Sequence, residues 1–174
     1  IATKGLQNVR CEEGDAEQLP YDDNTFDLVV SRLALHHFAA PQAQLGEMVR
    51  VCKPGHMVGN IDLLSPDDEA LRERYNHLER LRDPSHTTAL TRTQAIRSME
   101  EVGLSMTLVD TRDIPVDFHR WVTMTGTDRQ NTATIQQALA QELDGGPATG
   151  MRPYQERGVL GFLQVWAVLI GMSH

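Results

Sequence analysis

Gly14-Asp15-Ala16-Glu17-Gln18-Leu19-Pro20-Tyr21-Asp22-Asp23-Asn24-Thr25-Phe26-Asp27-Leu28-Val29-Val30-Ser31 is the stretch that decides the fold. An acidic, turn-rich loop runs into a short strand, Asp27–Ser31, whose centre is three consecutive apolar residues. A continuous apolar run of this length reads as a strand buried on both faces, the mark of a parallel sheet covered by helices. Ligands of such sheets sit outside the carboxyl ends of the strands. Asp15 follows one expected strand and Ser31 closes the next, so both are expected on that rim.

Working outward, Asn8–Glu13 reads as a short, half-polar strand, and Pro20 and Asp23-Asn24 mark the loop between the two strands. Leu33–Phe38, apolar but broken by His36 and His37, reads as a short helical turn. Pro41 opens a helix that Lys53-Pro54-Gly55 ends, and His56–Leu64 follows as a strand ending near Asp62. Ser65 is read as the cap of a helix running to about Arg82. Thr91 and Gln94 form a capping box for a helix that Gly103 closes. Ser105–Arg112 is expected as a strand, Phe118–Met124 as a helix, Thr127-Asp128 as the cap of a helix to about Leu143, and Phe162–Ile170 as a final apolar strand. Strands alternating with helices place the chain in the α/β class. Residues 1–5 read as the tail of a helix stopped by Gly5.

Composition narrows the function. A chain of 174 residues can bury one sizeable core, so one domain is expected. The net charge of −8, with no basic stripe, argues against nucleic acid as a partner. The best candidate for a membrane span, Val159–Met172, is too short and carries glycines and a Gln. Cys11 and Cys52 have no CxxC spacing and read as reduced thiols of a cytoplasmic protein.

The segments Gly14–Tyr21, Asn24–Ser31, Leu35-His36-His37-Phe38 and Arg50-Val51-Cys52-Lys53-Pro54-Gly55, in that order and spacing, resemble the class I S-adenosylmethionine-dependent methyltransferases. Within that family the likeness is to the small-molecule group typified by ubiquinone and menaquinone biosynthesis. The resemblance implies a Rossmann-like sheet in the order 3-2-1-4-5-7-6, with strand 7 antiparallel. Asn8–Glu13 would be strand 3, Phe26–Ser31 strand 4, His56–Leu64 strand 5, Ser105–Arg112 strand 6 and Phe162–Ile170 strand 7. Strands 1 and 2 and the Gly-rich loop find no counterpart in the sequence. The chain is therefore expected to be a single incomplete, amino-terminally truncated methyltransferase domain over 1–174, with a helical insertion over 113–157.

The resemblance further implies S-adenosylmethionine as cofactor. Asp15 would accept from the adenine amino group, the Ala16 N–H would read the ring, and Ser31 and Arg32 would face the methionine part. The partner is expected to be a small-molecule methyl acceptor. With half its cofactor contacts missing, this chain alone is expected to be inactive or to bind cofactor weakly. A non-catalytic interaction module keeping the same sheet is the alternative. A nicotinamide reductase is set aside, because neither Tyr75 nor Tyr154 has a Lys four residues on.

Methyl transfer from a sulfonium needs mainly proximity and orientation, so no catalytic residue is assigned. His36 and His37 are read as packing near the cofactor lip, since adjacent His on a helix diverge and no metal site is expected. His86 and Asp62 are rim residues that could act as a base or orient a substrate. Asp27 reads as structural, and Trp121, Trp166 and Phe162 as core. With strands 1 and 2 missing, strand 4 would present an apolar edge, expected to close by homodimerisation.

Overall fold

A computed structural model describes residues 7–174; the expected helix tail at Gly5 lies outside them. Five strands form one sheet: β1 (Phe26–Arg32), β2 (Cys52–Leu64), β3 (Ser105–Asp117), β4 (Pro153–Glu156) and β5 (Val159–Met172). The helices are α1 (Pro41–Val51), α2 (Glu69–Arg82), α3 (Arg92–Glu101), α4 (Phe118–Met124) and α5 (Arg129–Leu143), with a 3-10 turn at Leu35–His37.

The strand order is β1-β2-β5-β3, with β4 on the flank of β5. β1 runs parallel to β2, and β5 is antiparallel to both β2 and β3. Four of the strands thus reproduce the expected 4-5-7-6 order, antiparallel strand included. The consequence for function is geometric. The carboxyl ends of β1, β2 and β3 and the amino-terminal half of β5 all meet at one rim.

The sheet is covered on both faces. One core joins Leu35, Leu45, Met48, Val58, Met99 and Leu169, closed by α1 and α3. The other joins Tyr75, Leu78, Trp121, Ile135, Leu139 and Phe162, closed by α2, α4 and α5. The Thr91–Gln94 capping box forms as expected, and Asp128 caps α5 by accepting from the Asn131 N–H.

Several expectations are corrected. Asn8–Glu13 is not a strand, because a half-polar segment with no neighbouring strand has no ladder to join. β2 starts at Cys52 rather than His56: its pairing jumps from Phe26↔Cys52 to Leu28↔Met57, and Gly55 at φ +76° absorbs the bulge. α2 is capped by Asp68, whose carboxylate accepts from the Leu71 N–H at 2.9 Å. Ser65 instead donates its hydroxyl to the Ala89 carbonyl at 2.8 Å. β3 continues past Arg112 to Asp117 and β5 spans Val159–Met172, so strand supplants the start of the expected insertion; α4, α5 and β4 fill its remainder. β1, read first as buried on both faces, pairs only with β2 among the described residues, and Leu28 and Val30 are 60% and 52% exposed.

Candidate functional site

The rim turn after β1 is made by a residue that resists it. Leu33 adopts φ +52°, a left-handed conformation costing a non-glycine residue about 1 kcal/mol or more. Its N–H is tied to the Ile61 carbonyl at 2.8 Å. This reversal swings the chain off β1 into the 3-10 turn and carries His36 back over the end of β2.

There His36 meets Asp62. The imidazole Nδ1 lies 2.6 Å from Asp62 Oδ1, and the His36 N–H donates to Asp62 Oδ2 at 3.3 Å. Asp62 Oδ1 also accepts from the Leu63 N–H at 2.7 Å. Both side chains are buried. A carboxylate facing Nδ1 fixes the tautomer with hydrogen there, so the neutral ring offers its Nε2 lone pair elsewhere.

Two more imidazoles close the group. The His37 ring lies 4.1 Å from that of His36 and the His86 ring 5.3 Å, centre to centre. His37 Nδ1 donates to the Ser85 carbonyl at 3.0 Å. His86 Nε2 donates to Asn76 Oδ1 at 2.8 Å, an oxygen that also accepts from the Ala89 N–H at 2.7 Å. Burial, with His36 beside it, pushes His86 down to about 3, so it stays neutral. A third buried chain runs from Glu79 Oε1, which accepts from Gln164 Nε2 at 2.8 Å, to Gln164 Oε1, which accepts from Trp166 Nε1 at 3.2 Å. Burial raises the Glu79 carboxyl above the usual range, favouring its neutral form.

Of these groups His36, His37, Gln164 and Trp166 reach a cavity of about 630 Å³ at the carboxyl ends of the strands, which Arg32, Arg82 and Trp121 also line. That volume is in the range of small-molecule sites. A second cavity of about 340 Å³ lies beside β1, lined by Ala16, Leu19, Leu28, Ser31 and Gln44. In it Ser31 Oγ accepts from Gln44 Nε2 at 3.1 Å, and the buried Gln44 Oε1 has no donor.

The residues expected to hold the cofactor are thus divided. Ala16 and Ser31 line the cavity beside β1, and Arg32 lines the rim cavity. Asp15 accepts from the Glu17 N–H at 2.9 Å, the Asx turn of an acidic loop. That loop is pinned from behind by Arg50, which donates to the carbonyls of Tyr21 and Leu19 at 2.8 and 3.0 Å and pairs with Asp23 and Glu47. Arg50 holds the Glu47 carboxyl down at about 2. Asp27 pairs with Lys53 at 2.8 Å at the foot of the sheet, the structural part expected of it. Phe162 is core, whereas Trp121 and Trp166 also form cavity wall. The sequence reading missed the His36–Asp62 pair. Its only advance signal was that both residues fall at adjacent strand ends.

Comparison with known proteins agrees with this fold. A model of the methyltransferase domain family matches residues 1–58. The uncharacterized methyltransferase YcgJ of Bacillus subtilis is 36% identical over 126 residues, covering 71% of this chain and 49% of YcgJ. The ubiquinone/menaquinone biosynthesis C-methyltransferase UbiE of Idiomarina loihiensis is 38% identical over 71 residues, 41% of this chain and 28% of UbiE. The crystal structure of YcgJ from Bacillus subtilis superposes with a TM-score of 0.85 at 26% identity, over 99% of this chain and 74% of that one. The chain spans about half the length of the curated relatives it matches. The strand order and the sequence likeness agree: the chain has the Rossmann-like fold of the methyltransferases and resembles the class I S-adenosylmethionine-dependent family.

Proposed function

We propose that this chain supplies the acceptor pocket and part of the methyl-donor site of an enzyme that transfers a methyl group from S-adenosylmethionine to a small molecule. The observation that carries the reading is the His36–Asp62 pair at the wall of a rim cavity of small-molecule size.

The residues present suit the cofactor. The cavity beside β1 is mostly apolar, as a flat adenine ring requires. The donorless Gln44 Oε1, beside the Ser31 hydroxyl, is an acceptor that an amine would satisfy. Asp15, Ala16 and Ser31 are the residues we assign to it, joined by Gln44, whereas Arg32 lines the rim cavity and falls to the acceptor side. When bound, S-adenosylmethionine supplies an activated methyl group, so the protein's task is alignment and proton removal.

His36 is suited to the second part. Asp62 holds Nδ1–H, which leaves Nε2 to take the proton of an acceptor O–H, N–H or acidic C–H as the methyl carbon bonds to that atom. The proton would then rest on the His36 imidazolium, facing the Asp62 carboxylate. Trp166, tied through Gln164 to the buried Glu79, fixes the wall beside it, and neutral His86 packs behind His36.

Calorimetric titration with S-adenosylmethionine, on this chain and on a polypeptide of the relatives' length, tests the reading. Binding by the longer polypeptide, with label passing from the cofactor methyl to a small acceptor, is expected. Binding by neither would leave the interaction-module alternative in place.

A further inference from the structure

Resting on the methyl-transfer reading, the geometry points to an acidic methyl acceptor: a carboxylate or phosphate on a flat apolar body, held in the rim cavity by Arg32, Arg82 and Arg120.

The chain carries a net charge of −8, yet this cavity runs against that balance. Three guanidinium groups line it, and none forms an ion pair among the described residues. Two carboxylates, Asp83 and Asp117, also line it, and both are occupied. Asp83 Oδ1 accepts from the Ser85 N–H at 3.0 Å and the Ser85 hydroxyl at 2.6 Å. Asp117 Oδ1 accepts from the Arg120 N–H at 2.7 Å as the cap of α4.

Two of the guanidinium groups sit over indole rings. The Arg32 Cζ lies 5.2 Å from the centre of the Trp166 ring, and the Arg82 Cζ 5.1 Å from that of Trp121. Arg82 Nε also donates to the Trp121 carbonyl at 3.3 Å. The indoles beneath them are fixed in turn: Trp166 by Gln164, and Trp121 by an edge-on contact with Phe162 at 4.8 Å. A solvated surface arginine pays rotamer entropy when it grips an anion, and a stacked one has lost most of that freedom already. Fixed planar forks with unused N–H groups match the paired oxygens of a carboxylate or phosphate. The same indoles, with Leu63 and Val116, give the apolar wall that a flat body would lie on.

The chain has two tryptophans, and both line this cavity, so intrinsic fluorescence reports on it directly. The full chain is titrated with 4-hydroxybenzoate, phenyl phosphate and methyl 4-hydroxybenzoate. Saturable quenching by at least one acid is expected, with the neutral ester weaker by about tenfold or more. Affinity for the acid should fall as salt rises. Arg32→Gln and Arg82→Gln should weaken the acid and leave the ester unchanged, and Arg82→Lys should restore part of the loss. The stronger of the two acids identifies the head group. The proposal is overturned if the ester binds as tightly as the acids, if no acid quenches at millimolar concentration, or if the Gln variants bind the acid like the parent. Labelled methyl transfer is followed separately. Acid binding without transfer counts against the methyltransferase reading alone; transfer to neutral acceptors without acid binding counts against the acidic pocket alone.

Discussion

The two sides of β1 are built to different standards. On the β2 side, the strand end feeds a network in which His36, Asp62, His86, Asn76, Glu79 and Gln164 are all buried. On the other side, Leu28 and Val30 are largely exposed, and the cavity there is walled by a loop held through one arginine. Buried polar groups must be satisfied, so they fix one geometry. An apolar slot with an open side fixes much less. On the proposed function, the acceptor side is therefore the more firmly fixed of the two, and the donor side rests on fewer contacts.

The sharpest way to break this contrast is to attack the more firmly fixed side. Asp62→Ala strands a buried imidazole and two N–H groups, so unfolding free energy should fall by about 3 kcal/mol, read by urea denaturation. A change below about 1 kcal/mol would mean that the network is not what holds the rim.

Acid should act on the same side. The folded value of His86, about 3, lies below its ordinary 6.5. The folded state therefore resists a proton that the unfolded chain accepts. The stabilising contribution is complete above pH 6.5 and is lost as pH falls from there towards 3. His86→Gln, which can still donate to Asn76, should melt with a smaller drop between neutral pH and about pH 4 than the parent.

The donor side should respond locally. Arg50→Ala frees the loop over residues 14–25 and should cost about 1–2 kcal/mol. Amide exchange should rise in that loop, and tryptophan fluorescence in the rim cavity should not change. If the fluorescence shifts as well, the two sides are coupled and the contrast is wrong.

The smallest effect is expected at the edge. Leu28→Lys and Val30→Lys should each change stability by no more than about 0.5 kcal/mol if solvent covers that face. A larger loss, with a fall in molecular mass by light scattering, would instead reveal the homodimer expected from the apolar edge.

Much of the fold could be read from local signals. Thr91 and Gln94 announced α3, Pro41 opened α1, and the apolar runs at Leu28–Val30 and Phe162–Ile170 marked two strands. Local chemistry misled where a distant partner decided. Ser65 looks like a cap but donates to Ala89 instead, and Asn8–Glu13 looks like a strand but has no ladder to join. Pro153–Glu156 is polar and short, and it becomes a strand only because β5 lies alongside. Of the site, the rim placement of Asp62 was legible from its strand end, and that of His36 and His86 only from the family resemblance. Their convergence was not, because it depends on the left-handed turn at Leu33, which a leucine does not advertise.

The most direct test of the account is methyl transfer with His36 altered. A polypeptide of the relatives' length is assayed with labelled S-adenosylmethionine and the acid that best quenches tryptophan fluorescence, comparing the parent with His36→Gln. Cofactor affinity should hold within about threefold, while the transfer rate should fall by about a hundredfold or more. Transfer by the variant at the parent's rate would contradict the assignment of His36 and Asp62 as the proton-removing pair.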